Sequence, residues 1–177
     1  MSETSPTEGR RLLEGQRLQP ERYSVIPRTL TFLTREGQVL LLRVAQGRGA
    51  WAGRFNGLGG HIEQGEDART AARREVAEES GLEVDSLELA GVVLVDTATR
   101  PGIALFVFSA EVAGEIRQPT PEGELAWLQL DRLGDVPLVD DLPILLPRVL
   151  LARETGRPFF GCYRFDEEGR VKMQFAD

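Results

Sequence analysis

The junction between a glycine-rich segment and the helix that follows it restricts this chain more than any other stretch. "QGRGAWAGRFNGLGG" (46–60) holds six glycines in fifteen residues, so its backbone must turn sharply or come close to another group. Six residues later "DARTAARREVAEES" (67–80) is dense in Ala, Arg and Glu, which favour helix, and Gly81 stands where a left-handed C-terminal cap belongs. On such a helix Glu75, Glu78 and Glu79 fall within roughly a 100° arc. Like charges at that spacing repel by roughly 0.2–0.5 kcal/mol per i,i+4 pair. The glutamate face is therefore either solvated or neutralised by something positive.

Charge decides what that something can be. The chain of 177 residues carries a net charge of −7, so it has no basic footprint for a nucleic acid polymer or an anionic membrane. A small anionic substrate would need a cation to bridge it to this protein. With 41% hydrophobic and 28% charged residues, the composition is that of an ordinary globular domain with a real core. The single cysteine, Cys162, can form no internal disulfide and points to a reducing compartment. No apolar run approaches the roughly 20 residues of a membrane span, and "MSETSPTEGRRLLEG" lacks the apolar centre of a signal peptide. A cytoplasmic location is expected.

The remaining elements follow from pattern. Residues 1–24 read as an arm-like extension, and 25–177 as one domain. "YSVIPRTLTFLT" (23–34) and "VLLLRVA" (39–45) are β-rich runs joined by the turn "REGQ". Further apolar runs cover 87–96, 102–112 and 125–130. "DDLPILLPRVLLARETG" (140–156) reads as a second helix, with Asp ahead of Pro143 at its start and Gly156 after its end. The tail "FFGCYRF…EEG…VKMQF" alternates like a hairpin with "DEEG" as its turn. The sum is an α/β (α+β) fold with a mixed sheet between two helices.

The spacing Gly60, five residues, Glu66, seven residues, then Arg74-Glu75-Val76-Ala77-Glu78-Glu79-Ser80-Gly81-Leu82 resembles the Nudix box, with every defining position filled. Seven fixed identities at typical usage give a chance match on the order of 10⁻⁸ per start position. The resemblance implies a Nudix-type α/β/α sandwich with a central mixed sheet, and hydrolysis of a diphosphate bond. It implies that Glu75, Glu78 and Glu79 ligate Mg²⁺, with Mn²⁺ as the alternative, that Gly60 adds its backbone carbonyl, and that Glu78 or Glu79 deprotonates water. Glu66 and Arg74 match a pair that orients helix and loop, with Arg74 also beside the glutamates. A further carboxylate from outside the box is common in the family. Here "TPEGELAW" (120–127) offers Glu122 and Glu124, and Glu122 is the better match by its offset from Trp127.

Beyond the box, "GRFNGLGGHIEQGE", "LAWLQLD", "VDDLPILLP" and "FFGCYRFDEEGRVKMQF" resemble the branch of that family that hydrolyses oxidised purine nucleoside triphosphates. The resemblance implies that Asn56, Asp140 and Asp141 hydrogen-bond a purine edge. Capping of the second helix is the competing role for the aspartates. One departure stands out. Aromatic platforms are expected beside Asp140 and Asp141, but Leu138, Val139 and Ile144 occupy those places. Trp51, Phe55, Phe32 or Phe106 could line the pocket instead, although each reads first as core or loop packing. His61 reads as a strand residue near the loop rather than a base, and Cys162 as an inert thiol. The glycine-rich loop is no P-loop, since no Gly-Lys-Ser/Thr follows.

Two classes of function remain. One is a Mg²⁺-dependent hydrolase cutting a purine nucleoside triphosphate, oxidised bases included, to monophosphate and pyrophosphate. Dinucleoside polyphosphates and nucleotide sugars are rival substrates. The other is a Nudix-like nucleotide sensor without catalysis, which would typically have lost box glutamates. The expected partner is a small nucleotide, and the expected assembly a monomer or a homodimer.

Overall fold

A computed structural model describes residues 22–116 and 121–176; the expected arm over 1–24 falls almost wholly outside the described residues. The strands are β1 (Val25–Arg35), β2 (Gln38–Val44), β3 (Phe55–Asn56), β4 (Glu88–Val95), β5 (Gly102–Glu111), β6 (Gly123–Gln129), β7 (Phe159–Phe165) and β8 (Val171–Ala176). The helices are α1 (Ala68–Ser80) and α2 (Leu142–Thr155), with short 3₁₀ segments at Gly49–Trp51 and Leu130–Asp135. β3 and both 3₁₀ segments go beyond the sequence pattern, since each is too short to show a period.

One sheet runs in the order β3-β2-β1-β5-β4-β7-β8, with β6 paired to β2. β1 and β5 pair in parallel from Val25↔Gly102 to Thr34↔Glu111, and β4 and β7 also pair in parallel. The other named strand pairs are antiparallel, which makes the sheet mixed.

Each face is covered by one helix. Val76, Ala72 and Leu82 pack with Leu33, Leu40, Leu58 and Phe108 on the α1 face. Leu142, Leu145, Val149 and Ala152 pack with Phe32, Leu41, Val93 and Val107 on the other. Their 3-4-3 spacing is that of one helix stripe, and each fully buried Leu or Val contributes roughly 1.5–3 kcal/mol. The result is the expected α/β/α sandwich. α2 runs through Pro147 and has Pro143 in its first turn, where a missing N–H leaves no bond unmade.

Candidate active site

Caps at both ends hold α1 in place. Asp67 accepts from the Arg69 and Thr70 N–H groups at 2.9 and 3.1 Å, and Gly81, at φ 73°, closes the C-terminus through Ala77. The glycine loop lies directly against this helix. Gly59 has φ 144°, and a Cβ there would stand 2.3 Å from the Thr29 carbonyl oxygen. At Gly60 a Cβ would stand 2.4 Å from a Glu75 carboxylate oxygen. Only glycine permits both approaches.

Arg74 is the hub of the cluster. Its Nε and Nη2 donate to the two oxygens of Glu66 at 3.0 Å each, and Nη2 also donates to the His61 carbonyl at 3.0 Å. Nη1 donates to Glu75 at 2.9 Å and to Glu78 at 3.3 Å. These bonds, with the Glu63 N–H, hold the Glu66 carboxyl below the usual carboxylate range. Arg74 thereby tethers helix to loop and shields two glutamates from each other.

Glu79 is in a different setting. It is 5% exposed, accepts the Gly59 N–H at 3.0 Å, and hydrogen-bonds Glu122. Burial first, then the Glu122 carboxylate, push its pKa up to about 9. A carboxylate buried against a second carboxylate is stabilised by a proton or a cation between them. Glu122, just ahead of β6, also meets Arg48 at 3.4 Å, whereas Glu124 points to solvent.

Among the described residues, no three His, Cys, Asp or Glu side chains stand clustered to hold an ion. The shared helix face of Glu75, Glu78 and Glu79 is answered here in part by Arg74. Arg74 engages Glu75 and Glu78, while Glu79 turns to Gly59 and Glu122. The Gly60 carbonyl already accepts from Thr29 N–H at 2.9 Å, which leaves one lone pair. The donors available here are nonetheless all oxygens, carboxylates and a carbonyl, the set that hard divalent cations take. The close Glu79–Glu122 pair also gives such a cation something to neutralise.

On the α2 side of the sheet lies a cavity of about 200 Å³ lined by Asn56, Asp140, Asp141, Trp51, Tyr163 and Phe165. Backbone pairing assembles it. Phe55 N–H donates to Pro137 at 2.7 Å and Val139 N–H to Phe55 at 3.0 Å, which carries the aspartates to Asn56. The Asn56 side-chain oxygen accepts the Gly57 N–H at 2.8 Å. Asp140 is exposed and pairs with Arg54, which also reaches the Leu138 carbonyl at 3.4 Å. Asp141 occupies the N-cap position of α2, but its side chain makes no capping hydrogen bond. Burial, with the Asp140 charge adding to it, raises the Asp141 carboxyl above its ordinary value.

Of the aromatic walls, Trp51 is one of the substitutes named from the sequence, whereas Tyr163 and Phe165 are not. Trp51 is 50% exposed and lines the cavity instead of packing in a loop. Phe32 is fully buried in the core. Tyr163 and Phe165 stand two residues apart on β7, so they share a sheet face, and that period was the available signal. Arg54, two positions before Asn56, went unnoticed for the same reason.

The two sites touch. Gly59 lines the cavity and donates to Glu79, so residues 56–60 carry one end of each. Residues 26–149 match the NUDIX domain family. The chain is 31% identical over 144 residues to the oxidized purine nucleoside triphosphate hydrolase of Mus musculus, covering 81% of this chain and 88% of that one. It is 28% identical to the NAD-capped RNA hydrolase NudC of Stutzerimonas stutzeri, over 75% of this chain and 46% of that one. Among solved structures, a MutT protein from Bacillus halodurans superimposes with a TM-score of 0.71 at 25% identity, over 85% of this chain and 97% of its own.

Proposed function

We propose, since the chain belongs to the NUDIX domain family and is a Nudix hydrolase acting on nucleotides, that it cuts purine nucleoside triphosphates, oxidised guanine nucleotides among them, to monophosphate and pyrophosphate. The observation that carries this reading is the shared loop. A largely apolar cavity bearing an amide and two aspartates opens, through Gly59, on a carboxylate cluster one residue away. A base held at Asn56 and Asp141 would leave its phosphates beside α1. The hydrolase found in mouse supports the same choice of substrate.

Glu75, Glu78, Glu79, Glu122 and the Gly60 carbonyl are the residues that would hold a divalent cation, Mg²⁺ or Mn²⁺. Such a cation, when bound, offsets the substrate's negative charge and makes water more acidic. The chain's own residues do the positioning. Arg74 fixes the helix against the loop through Glu66 and His61. Glu79 is kept in a dry place by Gly59 and becomes a usable base only once it is ionised. Asn56 and Asp141 orient the base, and Arg54 holds Asp140 at the rim. Dinucleoside polyphosphates and nucleotide sugars also carry a base, and they are the rival substrates that the panel below separates by product. A sensor without catalysis is a weaker reading, because all the glutamates of the box are present.

The test is a panel of nucleotides assayed with Mg²⁺ and with Mn²⁺, reading pyrophosphate against phosphate release. Purine triphosphates should give pyrophosphate. Asp141→Ala should lower kcat/KM for them about tenfold, on the order of 1.4 kcal/mol, and leave a pyrimidine triphosphate unchanged. Equal loss for both bases would mean that Asp141 supports α2 rather than reading a base.

A further inference from the structure

We infer that the Tyr163 hydroxyl is a specificity-determining donor, set to bond the 6-oxo group of a bound purine. This rests on the purine reading above and sharpens it. Tyr163 lies on β7 opposite Val95 of β4, with its ring edge-on to Phe175 at 6.1 Å. The residue is 3% exposed, and its hydroxyl has no hydrogen-bond partner among the described residues. Buried polar atoms are nearly always satisfied, and an exception calls for a reason. Folding alone supplies none here, since phenylalanine would fill the same space without the unmet donor.

The cavity supplies the reason. Tyr163 lines it together with Asn56 and Asp141. Burial and the nearby Asp141 charge both keep the phenol protonated, so it is a donor at neutral pH. Asn56 spends its carbonyl oxygen on Gly57 and so presents its amide N–H groups. Two donors and one carboxyl group therefore belong to residues that line the same cavity. A guanine-type edge offers an acceptor at O6, where an adenine-type edge has an amino donor. Two donors beside an amino group would leave polar atoms unpaired, which is the situation that discriminates most strongly. Oxidation at C8 leaves O6 in place, so the same contact serves damaged and intact guanine nucleotides.

The experiment compares wild type and Tyr163→Phe on 6-oxo and 6-amino purine triphosphates, with kcat and KM resolved, alongside thermal melts of the free proteins. We expect about a tenfold loss of kcat/KM on the 6-oxo substrate, mostly through KM, and less than a twofold change on the 6-amino one. The free variant should melt at or above the wild-type temperature, because it loses an unsatisfied hydroxyl. A role in folding alone would instead lower the melting temperature and affect both substrates alike, and that result would overturn the inference. An unchanged ratio between the two substrates would overturn it too, with the purine reading intact. A wild type that releases no pyrophosphate from any purine triphosphate would overturn both.

Discussion

The two halves of the site are built in opposite ways. The carboxylate half is local: Glu66, Arg74, Glu75, Glu78 and Glu79 come from fourteen consecutive residues, joined by the 59–63 loop and by Glu122. Arg74 answers Glu66, Glu75 and Glu78, while Glu79 lies against Glu122. The cavity half is assembled from the 3₁₀ turn at Trp51, from β3, from the start of α2 and from β7. Its charges do not all answer one another. Among the described residues, Asp140 pairs with Arg54, Asp141 makes no ion pair, and the Tyr163 hydroxyl has no hydrogen-bond partner. A half held together largely within one stretch of chain suits the unchanging part of the chemistry, a phosphoanhydride and water. A half with unmet groups suits the part that must distinguish one base from another.

That division can be broken by experiment. The largest effect is expected at Glu79. Glu79→Gln keeps the shape and removes the charge, and should lower turnover about 100-fold or more, on the order of 3 kcal/mol in the barrier, for every base alike. The same variant tests the burial of that carboxyl. Its pKa in the metal-free folded protein is about 9 against an ordinary 4.5. Between those values the folded state holds a proton that the unfolded chain has released, so this contribution is complete below the lower value and is lost as pH rises through the upper one. Melts in chelator should show stability falling from about pH 6 to about pH 8.5, by up to about 1.4 kcal/mol per unit. Glu79→Gln should flatten that slope. A slope unchanged in the variant would assign the titration to another group.

The next effect belongs to the joint between the halves. Gly59→Ala forces a side chain onto the Thr29 carbonyl at a positive φ and should cost about 2 kcal/mol of stability, measured by denaturant unfolding. It should also lower activity on all bases. An effect confined to base selection would mean that Gly59 belongs to the cavity alone. The smallest effect is expected at Arg54, whose ion pair with Asp140 is solvent-exposed and worth at most about 1 kcal/mol. Arg54→Ala should raise KM for purine nucleotides about two- to fivefold and leave kcat unchanged. A fall in kcat would show that the two halves are not separable.

The same contrast explains what the sequence made legible. The helix at 68–80, its cap at Gly81 and the covered faces follow from spacings within one element, where side-chain period and position are linked by geometry. The close approach of Gly60 to Glu75 was legible because the box fixes the distance along the chain. Glu122 was preferred to Glu124 by its offset from Trp127, but what brings it to Glu79 is the register of β6 against β2, which places Gly123 opposite Val44. That register is a tertiary fact. The cavity walls were least legible of all. Leu138, Val139 and Ile144 left the expected aromatic places empty, and the replacements at Trp51, Tyr163 and Phe165 are separated from them in sequence and joined only by strand pairing. Arg74 was expected beside the glutamates, but the sequence does not show that it would pair with two of them.

Trp51 has a use apart from any role in selection. The chain has two tryptophans. Trp127 sits beneath the Arg35 guanidinium at 4.1 Å on β6, with its indole nitrogen buried, and it is not among the residues that line the cavity. Trp51 stands half in water at the cavity mouth. A purine settling there would exchange that water for a stacked ring, shifting and quenching the emission of one fluorophore while the other stays constant as an internal reference. The protein therefore carries its own optical reporter of occupancy, able to time nucleotide arrival and departure without a label and without turnover.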